Sequence, residues 1–412
     1  MDKVCVVGLG YVGLPTASLL ANKGFQVRGV DVNPRIVDTI NRGEIHIHEP
    51  DLDVLVTSAV NSGNLTASLS PTSADVFILA VPTPFQDGYV PDISYIEAAT
   101  EAIAPYLESG NLVILESTSP VGTTEAISEW LEKLRPDLEA DAIYIAHCPE
   151  RVLPGQILKE LIINDRIVGG INPASTAKAA AFYQQFVTGE IIPTQARTAE
   201  LSKLTENAFR DVNIAFANEL SLICQRLQID VWELRELANR HPRVNILQPG
   251  PGVGGHCIAV DPWFIVHSAP EQTRLIRTAR EVNDSKPYQV VNQVRAATAE
   301  FQHPVIACLG LAYKANIDDL RESPAVAIVR ELARESVGHL LAVEPHIPSL
   351  PASLDSLGNI QLVELDVALK KADIIVLLVD HQAFKTIDKK RVIGKKVIDT
   401  RGIWRCGETD ID

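Results

Sequence analysis

Apolar residues recur along the chain in two rhythms. Short unbroken runs such as KVCVVG at residues 3–8 and ADVFILAVPTP at 74–84 alternate with longer stretches whose apolar positions fall three and four apart. Unbroken runs read as strands buried on both faces, and the spaced stretches read as the helices that cover them. FQVRGVDVN (25–33), NLVILESTSP (111–120), AIYIAHCPE (142–150) and RIVGG (166–170) add further strands. The pattern therefore predicts a parallel, doubly wound sheet. From Thr198 to Leu227 the rhythm changes to one uninterrupted amphipathic stretch without glycine or proline, a helix of about 30 residues and roughly 45 Å. A rod of that length must bury its apolar stripe against two domains or another subunit, which predicts a domain-joining helix and a homodimer interface or part of a higher homo-oligomer. VWELRELANRH and a stretch over about 270–300 predict two more helices, and HPVIACLGLAYK, HLLAVEP, ADIIVLLVDH and KKVIDTRGIW predict a second, smaller sheet.

The first turn carries chemistry. Gly8, Gly10 and Gly13 in GLGYVG follow the first strand and open a helix. Glycine there makes the tight turn and lets the backbone reach a pyrophosphate, while the helix N-terminus offers unpaired amides. Asp31 ends the second strand, where a carboxylate bonds ribose hydroxyls and repels a 2′-phosphate, so NAD is expected rather than NADP. Arg35 is expected over the adenosine. Ligands of such sheets sit beyond the carboxyl ends of the strands, which singles out Thr83, Glu116, Ser117, Thr118 and Glu150; each has an alternative reading as a cap or turn former. The fold class expected is α/β, with two Rossmann-like doubly wound domains (1–196 and 301–412) joined by a central helical domain (197–300). The turn of the last domain lacks GxGxxG, so that domain is expected to hold a mononucleotide or the nucleotide part of a substrate, near Lys314, Asp318, Asp319 and Arg321.

Composition narrows the partners. A formal net charge of −15 over 412 residues argues against broad contact with nucleic acid or anionic lipid. No apolar run approaches the roughly 18 residues of a membrane span, and MDKVCVVGLG does not look like a secretory signal, so a cytoplasmic protein is expected. The six cysteines, among them Cys257 and Cys406, show neither CxxC nor metal-ligand spacing, and no metal is expected. Cys257 stands in the glycine-rich run GPGVGGHCIAVDPW (250–263). A thiol on such a loop is either a nucleophile or a small buried hydrophobe.

Seven ordered stretches then make a resemblance. GLGYVGLP, VPTPF, ESTSPVGTTE, CPERVLPG, ELSKLTENAFRDVNIAFANE, PGVGGHCIAVDP and GLAYKANIDDLRESPA span the chain and resemble the UDP-glucose/GDP-mannose dehydrogenase family. The resemblance implies an NAD-dependent, four-electron oxidation of C6 of a nucleotide sugar, with Cys257 as the nucleophile of the second step. It implies that Lys203 and Asn207 stabilise oxyanion charge, that Asp261 and Thr118 serve acid/base chemistry and water, and that Glu150 activates water on a thioester. Tyr11, Val12 and Thr83 are implied at the cofactor together with the three glycines, Asp31 and Arg35, and Arg321 near its phosphates. Arg151, Val152, Arg210, Gly254, His256 and Lys314 are implied at the substrate, along with Glu150, Lys203 and Asn207. Arg243 is implied to reach the substrate of the neighbouring subunit. INRGEIHIHEPDL and ANRHPRVNILQPGPGVGGHCIAVDPWF resemble the members that act on UDP-N-acetyl-D-mannosamine, with UDP-N-acetyl-D-glucosamine and UDP-glucose as alternatives. Val260 stands where UDP-glucose enzymes often have lysine, which argues against UDP-glucose. Two rivals remain: a two-electron dehydrogenase of the 6-phosphogluconate or hydroxyacyl-CoA type, which needs no Cys257, and a non-catalytic nucleotide-sugar sensor.

Overall fold

A computed structural model describes residues 2–139, 142–153, 155–255 and 257–404. The chain divides into two compact units, one of residues 1–206 and 263–270, the other of 207–262 and 271–412. Among the described residues, no helix is long and apolar enough to cross a membrane.

In the first unit, strands β1 (Lys3–Val7), β2 (Gln26–Val30), β3 (Leu65–Ser68), β4 (Val76–Leu79), β7 (Leu112–Leu115), β8 (Tyr144–His147), β9 (Arg166–Gly170) and β10 (Ile191–Gln195) form one sheet in the order 10-9-8-7-4-1-2-3. A two-stranded hairpin, β5 (Phe85–Gln86) and β6 (Val90–Pro91), lies outside it. Both faces of the sheet are covered: Val4 and Val6 pack into one core with Leu14 and Leu20, and Cys5 and Val7 into another with Ile96 and Leu131. That two-sided burial is why these strands read as unbroken apolar runs rather than alternating ones.

One strand direction differs from the expected parallel sheet. β9 pairs antiparallel to β8, and β10 follows β9 in parallel. The 148–165 connection turns back at the end where β8 finishes, so Ala146 faces Gly170 and His147 faces Gly169. The helix Pro173–Tyr183 then supplies the crossover that a parallel β9–β10 pair requires.

The second unit holds most of the long helix, which spans Ala196–Leu227, with Val231–Ala238 and Arg274–Thr298. Its sheet is fully parallel: β11 (Val305–Leu309), β12 (His339–Val343), β13 (Ile360–Leu362), β14 (Ile374–Leu377) and β15 (Lys396–Asp399), ordered 13-12-11-14-15. The two sheets repeat one plan. The Gly8 amide donates to Val30 O and the Gly310 amide to Val343 O, each at 2.8 Å, with φ of +92° and +94°.

Candidate functional site

The glycine turn is a steric necessity at two of its three glycines. A Cβ on Gly8 would lie 2.5 Å from Ala80 O, and one on Gly13 would lie 1.8 Å from Gly8 O. Gly10 meets nothing within 4 Å, so open space remains over the turn where the helix Gly13–Asn22 begins. First-turn amides lack intrahelical acceptors, and a pyrophosphate supplies what they need. Asp31 accepts from the Leu9 amide at 3.1 Å and the Asn33 amide at 2.9 Å, which fixes its carboxylate beside the turn with lone pairs to spare for ribose hydroxyls. These features fit NAD. Tyr11 is exposed, Val12 caps the helix without a side-chain bond, and Arg35 is exposed at the start of the helix Pro34–Asn41. Thr83 Oγ1 donates to Thr118 O at 2.7 Å, bringing two of the expected strand-end residues together.

The second turn, after β11, departs from this pattern at its acid. Glu344, the counterpart of Asp31, is buried; Oε2 accepts from the Leu311 and Ala312 amides and is 3.0 Å from His381 Nε2. The Asn316 amide donates to His381 Nδ1 at 2.9 Å, so Nε2 carries the proton given to Glu344. Hydrogen bonds within the fold thus hold the carboxylate that, in the first turn, stays accessible.

Beyond the end of β8, Glu150 is 6% exposed and engaged at three atoms. Its Oε2 pairs with Arg166 Nη1 at 2.7 Å, its Oε1 accepts from the Arg151 amide at 2.7 Å, and its carbonyl accepts from Lys203 Nζ at 2.5 Å. The antiparallel pairing explains the ion pair: carried three residues past His147–Gly169, the same register sets Glu150 opposite Arg166. Arg151 grips Glu206 at 2.7 Å and Asp165 O at 2.6 Å, and Val152 packs against the first core.

Next to this pair lies a carboxyl that no spacing argument marked as ionisable in an unusual way. Glu116 is fully enclosed, accepts from Tyr183 Oη at 2.7 Å and Thr16 Oγ1 at 3.4 Å, and is pushed up to about 7, by burial first and then by the charge of Glu150. Arg166 works in the opposite direction. A carboxyl raised above its ordinary 4.5 contributes stability that is complete below that value and lost as pH rises through about 7. Thermal unfolding followed from pH 5 to 8 should therefore show Tm of the wild type falling more steeply than that of Glu116→Gln; parallel profiles would refute the assignment.

In the second unit, Asn207 Nδ2 donates to Asp261 Oδ2 at 2.5 Å, and Asp261 is 2% exposed at the start of the helix Asp261–Ser268. Cys257 is exposed, and its carbonyl accepts the Asp261 amide at 2.8 Å. The other described cysteines are buried, and burial pushes Cys5 up to about 11 and Cys148 and Cys308 up to about 12. Those thiols stay protonated at neutral pH.

The glycines before Cys257 are dictated by close neighbours. A Cβ on Gly254 would meet Glu322 O at 2.5 Å, and on Gly255 (φ +83°) the Tyr313 ring at 2.9 Å. The start of the run is tied by Asn218 Oδ1, which accepts the Gly250 amide at 2.8 Å. Asn218 Nδ2 donates to Asn283 Oδ1, Asn283 Nδ2 donates to Asp211 Oδ1, both at 2.8 Å, and Asp211 pairs with Arg280 at 2.6 Å. Asn283 and Arg280 were marked by neither motif nor spacing, and Asp211 and Asn218 lie in the stretch ELSKLTENAFRDVNIAFANE without a role read for them. Arg401, which packs on Gly250 and pairs with Asp380 at 2.8 Å, was also missed, although DTRG at the end of an apolar strand was a usable signal.

Arg210, Arg243 and Lys314 are exposed, and Arg321 pairs with Asp319 at 2.7 Å. His256 and Cys406 lie outside the described residues. Phe209, Phe216, Ile223 and Leu227 recur at helical spacing along the long helix, 69%, 55%, 45% and 60% exposed, an apolar seam of the kind expected for subunit contact.

Comparison with known proteins places all three parts of the chain. Models of one family match its NAD binding domain over residues 2–187, its central domain over 197–285 and its UDP binding domain over 307–406. An NDP-N-acetyl-D-galactosaminuronic acid dehydrogenase of Ralstonia nicotianae is 60% identical, covering 97% of this chain and 96% of its own. A UDP-N-acetyl-D-mannosamine dehydrogenase of Salmonella typhi is 58% identical, over 98% and 99%. A solved UDP-D-ManNAc dehydrogenase from Pyrococcus horikoshii is 39% identical, with a TM-score of 0.88 over 99% and 97% of the two chains. On these grounds the chain is an NAD-dependent dehydrogenase and belongs to the UDP-glucose/GDP-mannose dehydrogenase family.

Proposed function

We propose that this enzyme oxidises C6 of UDP-N-acetyl-D-mannosamine from alcohol to carboxylate through a covalent intermediate on Cys257. The observation that carries the covalent route is the exposure of Cys257 on a glycine run, against four described thiols that burial keeps unreactive. The substrate assignment is supported by the 58% identical relative and by Val260.

The turn of Gly8, Gly10 and Gly13 together with Asp31 would hold NAD, which would supply the hydride acceptor. The first oxidation needs a base but no thiol and ends at the aldehyde. An aldehyde has no hydroxyl from which a second hydride can leave, so a nucleophile must add first. Cys257 Sγ forms a C–S bond with the aldehyde carbon and the oxygen takes a proton, giving a thiohemiacetal. That carbon then gives up its hydride to a second equivalent of the acceptor and its hydroxyl gives up a proton to a base, leaving a thioester, and water breaks the C–S bond, releasing the uronate and the thiol. Lys203 and Asn207 stabilise the charge on the reacting oxygen. Glu150, through its carbonyl, keeps Lys203 Nζ in place, and its carboxylate is the base for water attack. Asp261, held by Asn207, and Thr118 serve proton transfer and water placement. Arg151, Val152, Arg210, Gly254, His256 and Lys314 contact the substrate in this reading, and Arg321 the cofactor phosphates. Two chains associate through the seam of Phe209, Phe216 and Ile223, with Arg243 reaching the partner's substrate; a chain that sediments as a monomer at assay concentration removes this part.

A second reading has a specific basis, since the 60% identical relative is named for an N-acetyl-D-galactosaminuronic product. NADH release should be followed with the UDP derivatives of N-acetylmannosamine, N-acetylgalactosamine, N-acetylglucosamine and glucose side by side. Two NADH per N-acetylmannosamine sugar, at a kcat/KM at least ~10-fold above the others, is the expected result. Preference for the galactosamine sugar would transfer the assignment to that substrate, and turnover of UDP-glucose alone would overturn both.

A further inference from the structure

Within the second unit a cavity of about 560 Å³ opens beside the outer edge of β15. Ser221 of the long helix, Lys286 and Gln293 of the helix Arg274–Thr298, Trp232 and Lys396 line it. None of the residues assigned above to cofactor, substrate or reaction lines it. It follows the strand from Lys396 to Thr400 rather than lying only beyond the carboxyl ends of the sheet, where nucleotides bind in such folds.

Lys286 is the unusual member of its wall. It is 6% exposed, and its Nζ donates to Ser221 Oγ at 2.6 Å. An ammonium carries three N–H donors, so one such bond leaves donors to spare. Among the described residues Lys286 forms no ion pair, and the two acids on the cavity wall are engaged elsewhere. Glu300 pairs with Lys396 Nζ at 3.0 Å, and Asp399 accepts the amides of Arg401, Gly402 and Trp404. Burial alone pushes the Lys286 ammonium down to about 8, which is what a cation lacking a nearby anion does. A buried charge without a counter-charge is costly unless a ligand provides one.

We propose that this cavity binds a small organic anion, with its carboxylate or phosphate group on the remaining N–H donors of Lys286 Nζ and its apolar body against Trp232 and Ala297; Ser221 Oγ, which donates its own hydrogen to Asn218 O at 2.6 Å, accepts from Lys286 and orients it. The ammonium fixes the charged end and the apolar wall accepts the rest, the usual division of labour in a small-molecule pocket.

The test uses the full chain with benzoate, inorganic phosphate and phenyl phosphate as probes, measured by calorimetry on the wild type and on Lys286→Met. At least one probe should bind the wild type, with affinity falling at least ~10-fold in Lys286→Met. Benzoate binding identifies a carboxylate ligand, and phenyl phosphate binding without benzoate a phosphate ester. Equal binding to both proteins, or none to the wild type, overturns the proposal. A second measurement needs no variant. Pyridoxal phosphate condenses with a neutral amine to an imine, releasing water, and borohydride then reduces the imine to a stable secondary amine. Peptide mapping should find residue 286 modified at pH 8 and protected by the probe that binds; an unmodified Lys286 means the cavity does not admit an anion of this kind.

Discussion

Replacing Cys257 by serine is expected to lower uronate formation by ~10³-fold or more, equivalent to at least about 4 kcal/mol of barrier. A hydroxyl has the same reach but is almost wholly protonated at neutral pH, so addition to the aldehyde slows while binding of NAD and nucleotide sugar is retained. The variant should release far less than two NADH per sugar and should lose oxidation of added aldehyde. Mass spectrometry of the wild type during turnover should find an adduct on the peptide carrying Cys257. Two NADH per sugar at a near wild-type rate from Cys257→Ser would exclude the covalent route and leave a hydrated aldehyde as the second substrate. Loss of Cys308, buried and pushed up to about 12, should leave the chemistry intact and shows that the effect belongs to position 257 rather than to thiols in general.

The largest stability effect is expected at Arg280. Its guanidinium is 1% exposed and pairs with Asp211, itself wholly buried, and with Asp284. Arg280→Met removes the cation and strands the Asp211 carboxylate, which burial already pushes above its ordinary range. Breaking a buried pair in this way costs about 3–5 kcal/mol, whereas removing both partners is often close to neutral. Urea unfolding should therefore show the full loss in Arg280→Met and recovery of much of it in Arg280→Met combined with Asp211→Asn. A loss below ~1 kcal/mol in the single variant would mean that the pair contributes little. Because Asp211 leads through Asn283 and Asn218 to the Gly250 amide, the single variant should also lower kcat under conditions where it remains folded.

Much of this architecture was legible in the sequence because it rests on local rules. The turn of Gly8 and Gly13 is fixed by contacts within a few residues and with the ends of two neighbouring strands. The long helix begins at Ala196, two residues before the expected Thr198, and ends at the expected Leu227. Strand direction was less accessible: RIVGG has the same pattern whether it runs with β8 or against it, and only the path of residues 148–165 decides. Short β3 and β13, partly exposed and weakly patterned, escaped for a similar reason. The helix Asp261–Ser268 carried a signal that was not used, a proline in its first turn.

The candidate site divides along the same line. Lys203 and Asn207 were visible as a pair because a helix puts residues four apart on one face. Glu116 was visible only as a polar strand end and Arg166 only as the start of a strand; their buried charges were not, since a buried charge is recognised by its partner, and Tyr183 lies 67 residues from Glu116. The Asp211–Arg280 pair spans 69 residues.

The glycine run before Cys257 also bears on how members of this family can be recombined. Gly254 and Gly255 fit because Tyr313, Glu322 and Pro324 leave no room for a side chain, and those three residues belong to the stretch between β11 and β15. Gly254 and Gly255 and the stretch after β11 are thus two halves of one mould. A chimera that imports the last sheet from a relative, in order to change nucleotide preference, should work only when the matching cysteine loop travels with it. The units of exchange in this enzyme are set by that contact, and they do not coincide with the boundaries at which the chain changes from helix to sheet.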